Sequence, residues 1–320
     1  MRPGRGPRVA ETPPSLVFIA GSWHQGKCYE RITQPLETRH QIRCTTVTLT
    51  STLGDPESSF EDDVDAARSA ITLETSRSRD VVVIAHSFGG MVGNSAIKGL
   101  SRSKSAKSNE NITSGAVIGL VLIASGFTLT GLSFMDPMFG IPPPSWKVNK
   151  ETGFADLVTP PRELFYHDLS AEDADYWFRS GEHAYAGWQD VPTWYIGTTE
   201  DRGMPVVVQR MQVGMARAMG GQVVHRELQS SHSPFLSMPD KCVAIILEAI
   251  EVFTGKPLDD ASVSKSAEEM GEREFVVPAV RLLQPTSWFR YGIPFGLGRF
   301  VGNCITAFEW IRSLWRTKQR

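Results

Sequence analysis

Residues 81–90 read VVVIAHSFGG, and Asp80 leads into them. Val81 to Ala85 is an apolar run without a polar interruption, and four of its five residues are β-branched. Such a run suits a strand buried on both faces, the usual state in a parallel sheet. It stops at a serine, and residues 89–100 then read as a helix. A serine at a tight strand-to-helix turn needs small neighbours, and Ala85 and Gly89 supply them. The turn lifts the hydroxyl out of the sheet. It also sets it at a helix N-terminus, where free N–H groups favour a developing anion. A simple capped turn uses the same residue types, so the chemistry of Ser87 depends on what the rest of the chain brings to it.

Working outward, Leu16 to Ala20 is a second apolar run, stopped by Gly21. Residues 32–39 read as a short helix and Thr45–Leu49 as a strand. Residues 58–75 read as a helix: Ser58 and Glu61 have the spacing of a capping box, and Phe60, Val64, Ala67 and Ile71 mark one face. The polar stretch SRSKSAKSNENITS at 101–114 reads as a surface loop. Ala116–Ala124, Thr193–Gly197 and Gln222–Leu228 read as strands, and Lys241–Phe253 as a helix. Strands alternating with helices over residues 15–255 predict an α/β domain, a mostly parallel sheet flanked by helices. Residues 126–190 break the rhythm with Pro137, Pro142 to Pro144, Pro160, Pro161 and many aromatics. They read as an inserted cap, with one helix at 170–180.

The chain has 320 residues, 41% hydrophobic and 21% charged, ordinary for a globular protein. A net charge of −2 removes the electrostatic basis for nucleic-acid binding. The cysteines at 28, 44, 242 and 304 form no CxxC pair, so neither a metal site nor a disulfide framework is expected. Residues 1–14, MRPGRGPRVAETPP, are basic and proline-rich and read as a flexible tail rather than a secretory signal, which suits the cytoplasm. Residues 256–273 read as a polar linker. Residues 274–320 are apolar and basic. There Gly292, Gly296, Gly298, Gly302 and Pro294 are expected to interrupt any long helix, and the run Tyr291–Phe308 is too short to span a bilayer. This tail is expected to dock on its own domain or to contact a membrane surface peripherally, with Arg312, Arg316, Lys318 and Arg320 facing anionic headgroups. Nothing in the sequence fixes an oligomeric state.

A nucleophilic serine needs a base and a group that orients the base. After the strand at 193–197 comes TTEDRGMP (198–205), and after the strand at 222–228 comes SSHSPF (230–235). Asp201 and His232 thus stand in loops at strand C-termini, in the order Ser, acid, His. Glu200 competes with Asp201 for the acid role and is read as a solvent-facing carboxylate. Of seven histidines only His232 combines this order with a strand-end position. His86 is next to Ser87, but successive strand residues point to opposite faces. His225 falls within a strand. The oxyanion is expected to meet the backbone N–H groups of Phe88 and of Ser22, the latter in the loop Ala20 to His24.

The stretches IAGSWH (19–24), AHSFGGM (85–91), YIGTTEDRGMPVVVQRMQ (195–212) and HSPFLSMP (232–239) resemble the α/β-hydrolase superfamily. Within it they are similar to the plant methylesterase and hydroxynitrile lyase branch and its fungal relatives. The resemblance covers about Leu16 to Phe253 and leaves out the tail. It places the family's acid on Asp201. It implies a serine hydrolase that needs no cofactor and cleaves an ester or related acyl bond, and the aromatics of the cap suit a hydrophobic small molecule. By analogy with the fungal relatives, it suggests a tailoring step in secondary-metabolite or mycotoxin biosynthesis. Two departures stand out: Ala20-Gly21 replaces His-Gly in the first loop, and the cap looks shorter. Carbon–carbon cleavage or condensation on the same fold is the alternative. The lyases' threonine and lysine are replaced by Gly21 and Ser233, which favours hydrolysis. A non-catalytic binding role fits less well, because Ser87, Asp201 and His232 are all present.

Overall fold

The computed structural model describes residues 13–53, 57–102, 114–133, 135–136, 141–149, 155–168, 184–258 and 275–318. The terminal tail at 1–12, most of the 101–114 loop, the expected cap helix at 170–180 and most of the 256–273 linker lie outside them. Strands β1 (Ser15–Ile19), β2 (Cys44–Val47), β3 (Val81–His86), β4 (Val117–Ile123), β7 (Thr193–Thr198) and β8 (Val223–Leu228) form one sheet. Its order is β2-β1-β3-β4-β7-β8, and every pairing is parallel. The period of two along each strand divides the core between two faces. Val81, Val83 and Ala85 of β3 face helices α2 (Phe60–Thr75) and α3 (Gly89–Ala96). Val82 and Ile84 face α1 (Glu30–Thr38) and α7 (Pro239–Thr254). All five are fully buried, which is why this run carries no polar residue.

Between β4 and β7 the described part of the cap holds an antiparallel hairpin, β5 (Trp146–Val148) with β6 (Ala155–Leu157), and the short helix α4 (Pro161–Phe165). Helix α5 (Val206–Ala218) follows β7, and α6 (Pro234–Ser237) precedes α7. The cap aromatics divide. Trp146, Phe165 and Trp188 are buried, and Trp188 donates its indole N–H to the Thr128 carbonyl at 2.6 Å. Trp188 is therefore part of the core beneath the cap.

Three local expectations need correction. Helix α2 is capped by Ser59, not Ser58. Ser59 is extended (φ −102°, ψ 170°) and accepts from Asp62 N while Asp62 accepts from Ser59 N, so the box pairs 59 with 62. Helix α3 ends at Ala96 instead of Leu100, and Gly99 beyond it has a left-handed φ of 73°.

The third correction is the largest. Residues 293–318 form one helix of 26 residues, α8 (Ile293–Lys318), where glycines and a proline predict interruption. Pro294 stands in the first turn, where a missing N–H costs nothing. Gly298 and Gly302 are required by α5. A Cβ on Gly298 would collide with the Met211 carbonyl, and one on Gly302 would come within 2.7 Å of the Met215 carbonyl. On α5, a Cβ at Gly214 would come within 3.0 Å of Phe295 Cα. The two helices touch backbone to backbone. Ahead of α8, Val276 exchanges both backbone hydrogen bonds with Glu227 (2.8 and 2.9 Å) and covers the free edge of β8.

Candidate active site

Because all six strands run the same way, the loops after β1, β3, β7 and β8 meet at one end of the sheet. The chain leaves β1 toward β2 and returns to β3 on the other side, so the crevice between β1 and β3 is where α/β sheets bind ligands. Ser87 stands there, half-buried, with a left-handed φ of 52°. That conformation is costly for a non-glycine residue and must be held by its surroundings. Ser125 Oγ donates to the Ser87 carbonyl at 2.6 Å, and Tyr195 OH donates to the Ser125 carbonyl at 2.6 Å. Gly89 packs against the Ala20 and Ile19 carbonyls, and Gly90 against Ser125, with no room for a Cβ at either. The elbow thus needs both glycines.

The loop after β1 lies directly over the elbow. A Cβ on Gly21 would come within 2.9 Å of both the His86 carbonyl and Ser87 Cβ. Ser22 follows, buried, and its hydroxyl has no partner among the described residues. Trp23 has a φ of 60°, so the loop is strained as well. Phe88, next after Ser87, is buried with its ring edge-on to Phe60 at 6.1 Å.

His232 and Asp201 are brought together. His232 Nδ1 donates to Asp201 Oδ2 at 2.8 Å, with both side chains buried. This bond fixes the proton on Nδ1 and leaves Nε2 as the acceptor. The other donors to Asp201 were not foreseen. Thr198 Oγ1 donates to Oδ2 at 2.8 Å and Gln209 Nε2 at 3.2 Å. The Gly203 and Met204 N–H groups donate to Oδ1 at 2.8 and 2.7 Å. Five donors converge on one carboxylate, which fixes its orientation. Glu200 is exposed and accepts from Gln229 Nε2 at 2.8 Å, away from this network.

Two more histidines line the back of His232. His86 does point to the α1/α7 face, but the loop after β8 folds over that side. The His86 and His232 rings are 4.7 Å apart, and His86 Nε2 donates to the His232 carbonyl at 3.0 Å. His24 donates from Nδ1 to the Ser22 carbonyl at 2.7 Å. Its Nε2 then accepts from Tyr166 OH at 2.7 Å and faces Ser233 Oγ at 3.2 Å. Burial is the main cause holding the His24 pKa down, at about 4 instead of 6.5. Burial first, then the neighbouring His232 and His24, holds His86 well below the usual histidine range. Sequence patterning gives no sign of these contacts, since each depends on a loop from elsewhere in the chain.

The histidines carry a pH prediction. The folded state keeps His24 neutral down to about pH 4, whereas the unfolded chain takes up a proton near 6.5. The unfolded state then binds more protons between these values, so stability is complete above 6.5 and falls as the pH drops toward 4. His24 alone is worth about 3 kcal/mol over that window. His86 and His225, both depressed mainly by burial, act with the same sign. Urea midpoints measured across this range should fall on acidification, and less steeply in His24→Gln. Equal slopes in both proteins would remove His24 from the account.

The described part of the cap reaches this site through α4. The Phe165 ring stacks on Trp23 at 5.5 Å and lies 5.2 Å from the His232 ring. Ser231 Oγ donates to the Phe165 carbonyl and Ser231 N to Asp168 Oδ2, both at 2.8 Å, tying the cap to the loop that carries His232. Among the described residues no group of three His, Cys, Asp or Glu could hold a metal ion. The cysteines are free, and burial pushes the Cys44 thiol up to about 12 and those of Cys28 and Cys242 further.

Residues 16–245 match the model of the α/β hydrolase family. The chain is 27% identical over 256 residues to the α/β hydrolase nvfD of Aspergillus novofumigatus, covering 75% of this chain and 99% of that protein. Among solved structures it is similar to a pyrethroid hydrolase of Sphingobium faniae JZ-2 (TM-score 0.57, 20% identity, 75% of this chain and 98% of that one). It is also similar to tomato methylketone synthase I in complex with 2-tridecanone (TM-score 0.57, 12% identity, 76% of this chain and 100% of that one). At these identities the solved structures speak for the fold alone. A family match spanning most of the sheet, with the strand order and serine elbow described above, makes this chain a member of the α/β hydrolase family.

Proposed function

We propose that the protein is a serine hydrolase that cleaves an ester or related acyl bond of a hydrophobic small molecule. The observation that carries this reading is the carboxylate of Asp201, held by four donors and aimed at His232 Nδ1 at 2.8 Å, at the same sheet end as the strained Ser87. Ser87 Oγ attacks the carbonyl carbon as His232 Nε2 takes its proton. The negative charge on the carbonyl oxygen is met by the N–H groups of Ser22 and Phe88. His232 then protonates the leaving alkoxide, and a water activated by the same nitrogen releases the acid. Asp201 holds the imidazole in the required tautomer throughout.

The aromatic wall of Trp23, Phe165 and Tyr166 beside His232 supports an apolar substrate. Coverage of nearly the whole of an Aspergillus hydrolase supports a fungal setting, and with it a tailoring step in natural-product or mycotoxin biosynthesis.

The test compares wild type with Ser87→Ala, using a fluorophosphonate probe and a series of p-nitrophenyl esters. Wild type should label and hydrolyse, and Ser87→Ala should lose the label and about 10³-fold or more of the turnover. A folded wild type that neither labels nor hydrolyses would overturn the hydrolase reading and turn attention to carbon–carbon bond chemistry.

A further inference from the structure

Helix α8 packs on α5 through Gly298 and Gly302, and the opposite side of the helix faces solvent. That side is apolar over its whole length. Ile293, Leu297, Phe300, Phe308, Ile311 and Trp315 recur at helical spacing and are 48–71% exposed. Projected at 100° per residue, all six fall within one face, centred opposite the two glycines. Arg312 is exposed at one border of it. A soluble helix normally turns its apolar face inward, so a long apolar face pointing outward marks an interaction surface.

The charge is as uneven as the hydrophobicity. Residues 281–320 hold seven basic residues and one acidic, a formal +6, while the rest of the chain is −8. The helix also outruns its support: from Thr306 to Trp315 every residue is exposed. At 1.5 Å per residue, 26 residues make a helix about 39 Å long that carries this apolar ridge. No helix among the described residues is long and apolar enough to cross a membrane.

We propose that α8 is an in-plane docking helix for an anionic lipid surface. Its Phe and Trp side chains enter the boundary between headgroups and acyl chains, and its arginines meet the anionic headgroups. Pairing of two α8 faces from two copies would press two +6 segments together, whereas an anionic bilayer neutralises them. Anchoring by glycine explains the orientation: a tight backbone contact on one side leaves Ile293, Leu297, Phe300, Phe308, Ile311 and Trp315 pointing away from the domain, while Phe295 packs against its core. The surface lies outside residues 16–245, so it is an addition of this chain to the shared fold.

Flotation of the full chain with vesicles tests this. Protein should float with vesicles of phosphatidylcholine and phosphatidylserine, less with phosphatidylcholine alone, and less again as salt is raised. Arg312→Gln should reduce partition about fivefold. Phe300→Ser, Phe308→Ser and Trp315→Ser together should reduce it about tenfold or more with an unchanged thermal midpoint, since none of the three is buried in the domain. Ser87→Ala should float like wild type, so the result stands apart from the proposed catalysis. Failure of wild type to float with anionic vesicles overturns the proposal. So does a dimer, seen by sedimentation and dissolved by the triple variant, in a protein that ignores vesicles.

Discussion

Asp201→Asn should lower kcat for ester hydrolysis by about 10⁴-fold while leaving the fold intact, a loss of the size known for the equivalent change in serine proteases. The reason lies in the five donors around the carboxylate. Oδ1 accepts from the Gly203 and Met204 N–H groups, which are fixed in the backbone and can only donate. The asparagine must therefore keep its carbonyl oxygen there. Its NH₂ then takes the place of Oδ2, facing His232 Nδ1, Thr198 Oγ1 and Gln209 Nε2. The threonine hydroxyl can rotate to accept. His232 can only answer by becoming an acceptor at Nδ1, which moves its proton to Nε2. The nitrogen that should take the serine proton is then already protonated. The assay is kcat and KM on the best p-nitrophenyl ester, with a thermal midpoint beside it. KM should change little, since Asp201 is not expected to touch the substrate. A loss below about tenfold would mean that Asp201 does not set the tautomer, and the orienting role would have to be sought elsewhere.

How much of this was legible in the sequence follows from where each contact comes from. The strands were readable because Val81–Ala85 and Leu16–Ala20 are buried on both faces and carry no polar residue at all. The positions of Ser87, Asp201 and His232 were readable because each follows a strand, and a parallel sheet gathers all its strand C-termini at one end. The donors Thr198 and Gln209 were not. Gln209 is an unremarked residue of α5 until the helix docks against β7 and turns its amide toward Asp201. His86 obeyed the alternation rule, and it was the returning loop after β8 that brought His232 to it. Helix α8 was misread for the same reason. Gly298 and Gly302 look like breakers in isolation, but they are the points where α5 approaches most closely. A glycine's cost in a helix, about 1 kcal/mol, is small against a contact that only glycine permits.

A buried ion pair helps to fasten the tail, and Arg210→Ala should destabilise the protein by about 3–5 kcal/mol, the range for stripping one partner from a buried ion pair. Arg210 on α5 makes two parallel bonds to Glu227 on β8, Nε to Oε1 at 2.7 Å and Nη2 to Oε2 at 2.8 Å, with both side chains buried. Its third nitrogen, Nη1, donates to the Arg290 carbonyl at 2.8 Å, and the guanidinium lies 4.6 Å from the Tyr291 ring centre. One arginine thus joins helix, sheet edge and the turn that leads into α8. Removing it leaves Glu227 fully buried beside His225, whose ring is 3.7 Å away but held neutral mainly by its own burial. An uncompensated carboxylate there must either draw in water or take up a proton, and each course costs free energy. A pair of changes separates loss of the pair from loss of packing. Arg210→Met with Glu227→Leu removes both charges and should recover most of the stability, because burying two opposite charges gains little over burying two apolar side chains. Urea denaturation gives the free energies, and limited proteolysis after Arg281 and Arg290 reports on the tail. The single variant should expose those sites. The double variant should protect them only in part, since neither new side chain can donate to the Arg290 carbonyl. A single-variant loss below about 1 kcal/mol would show that the pair holds nothing that packing of Gly298 and Gly302 does not already hold.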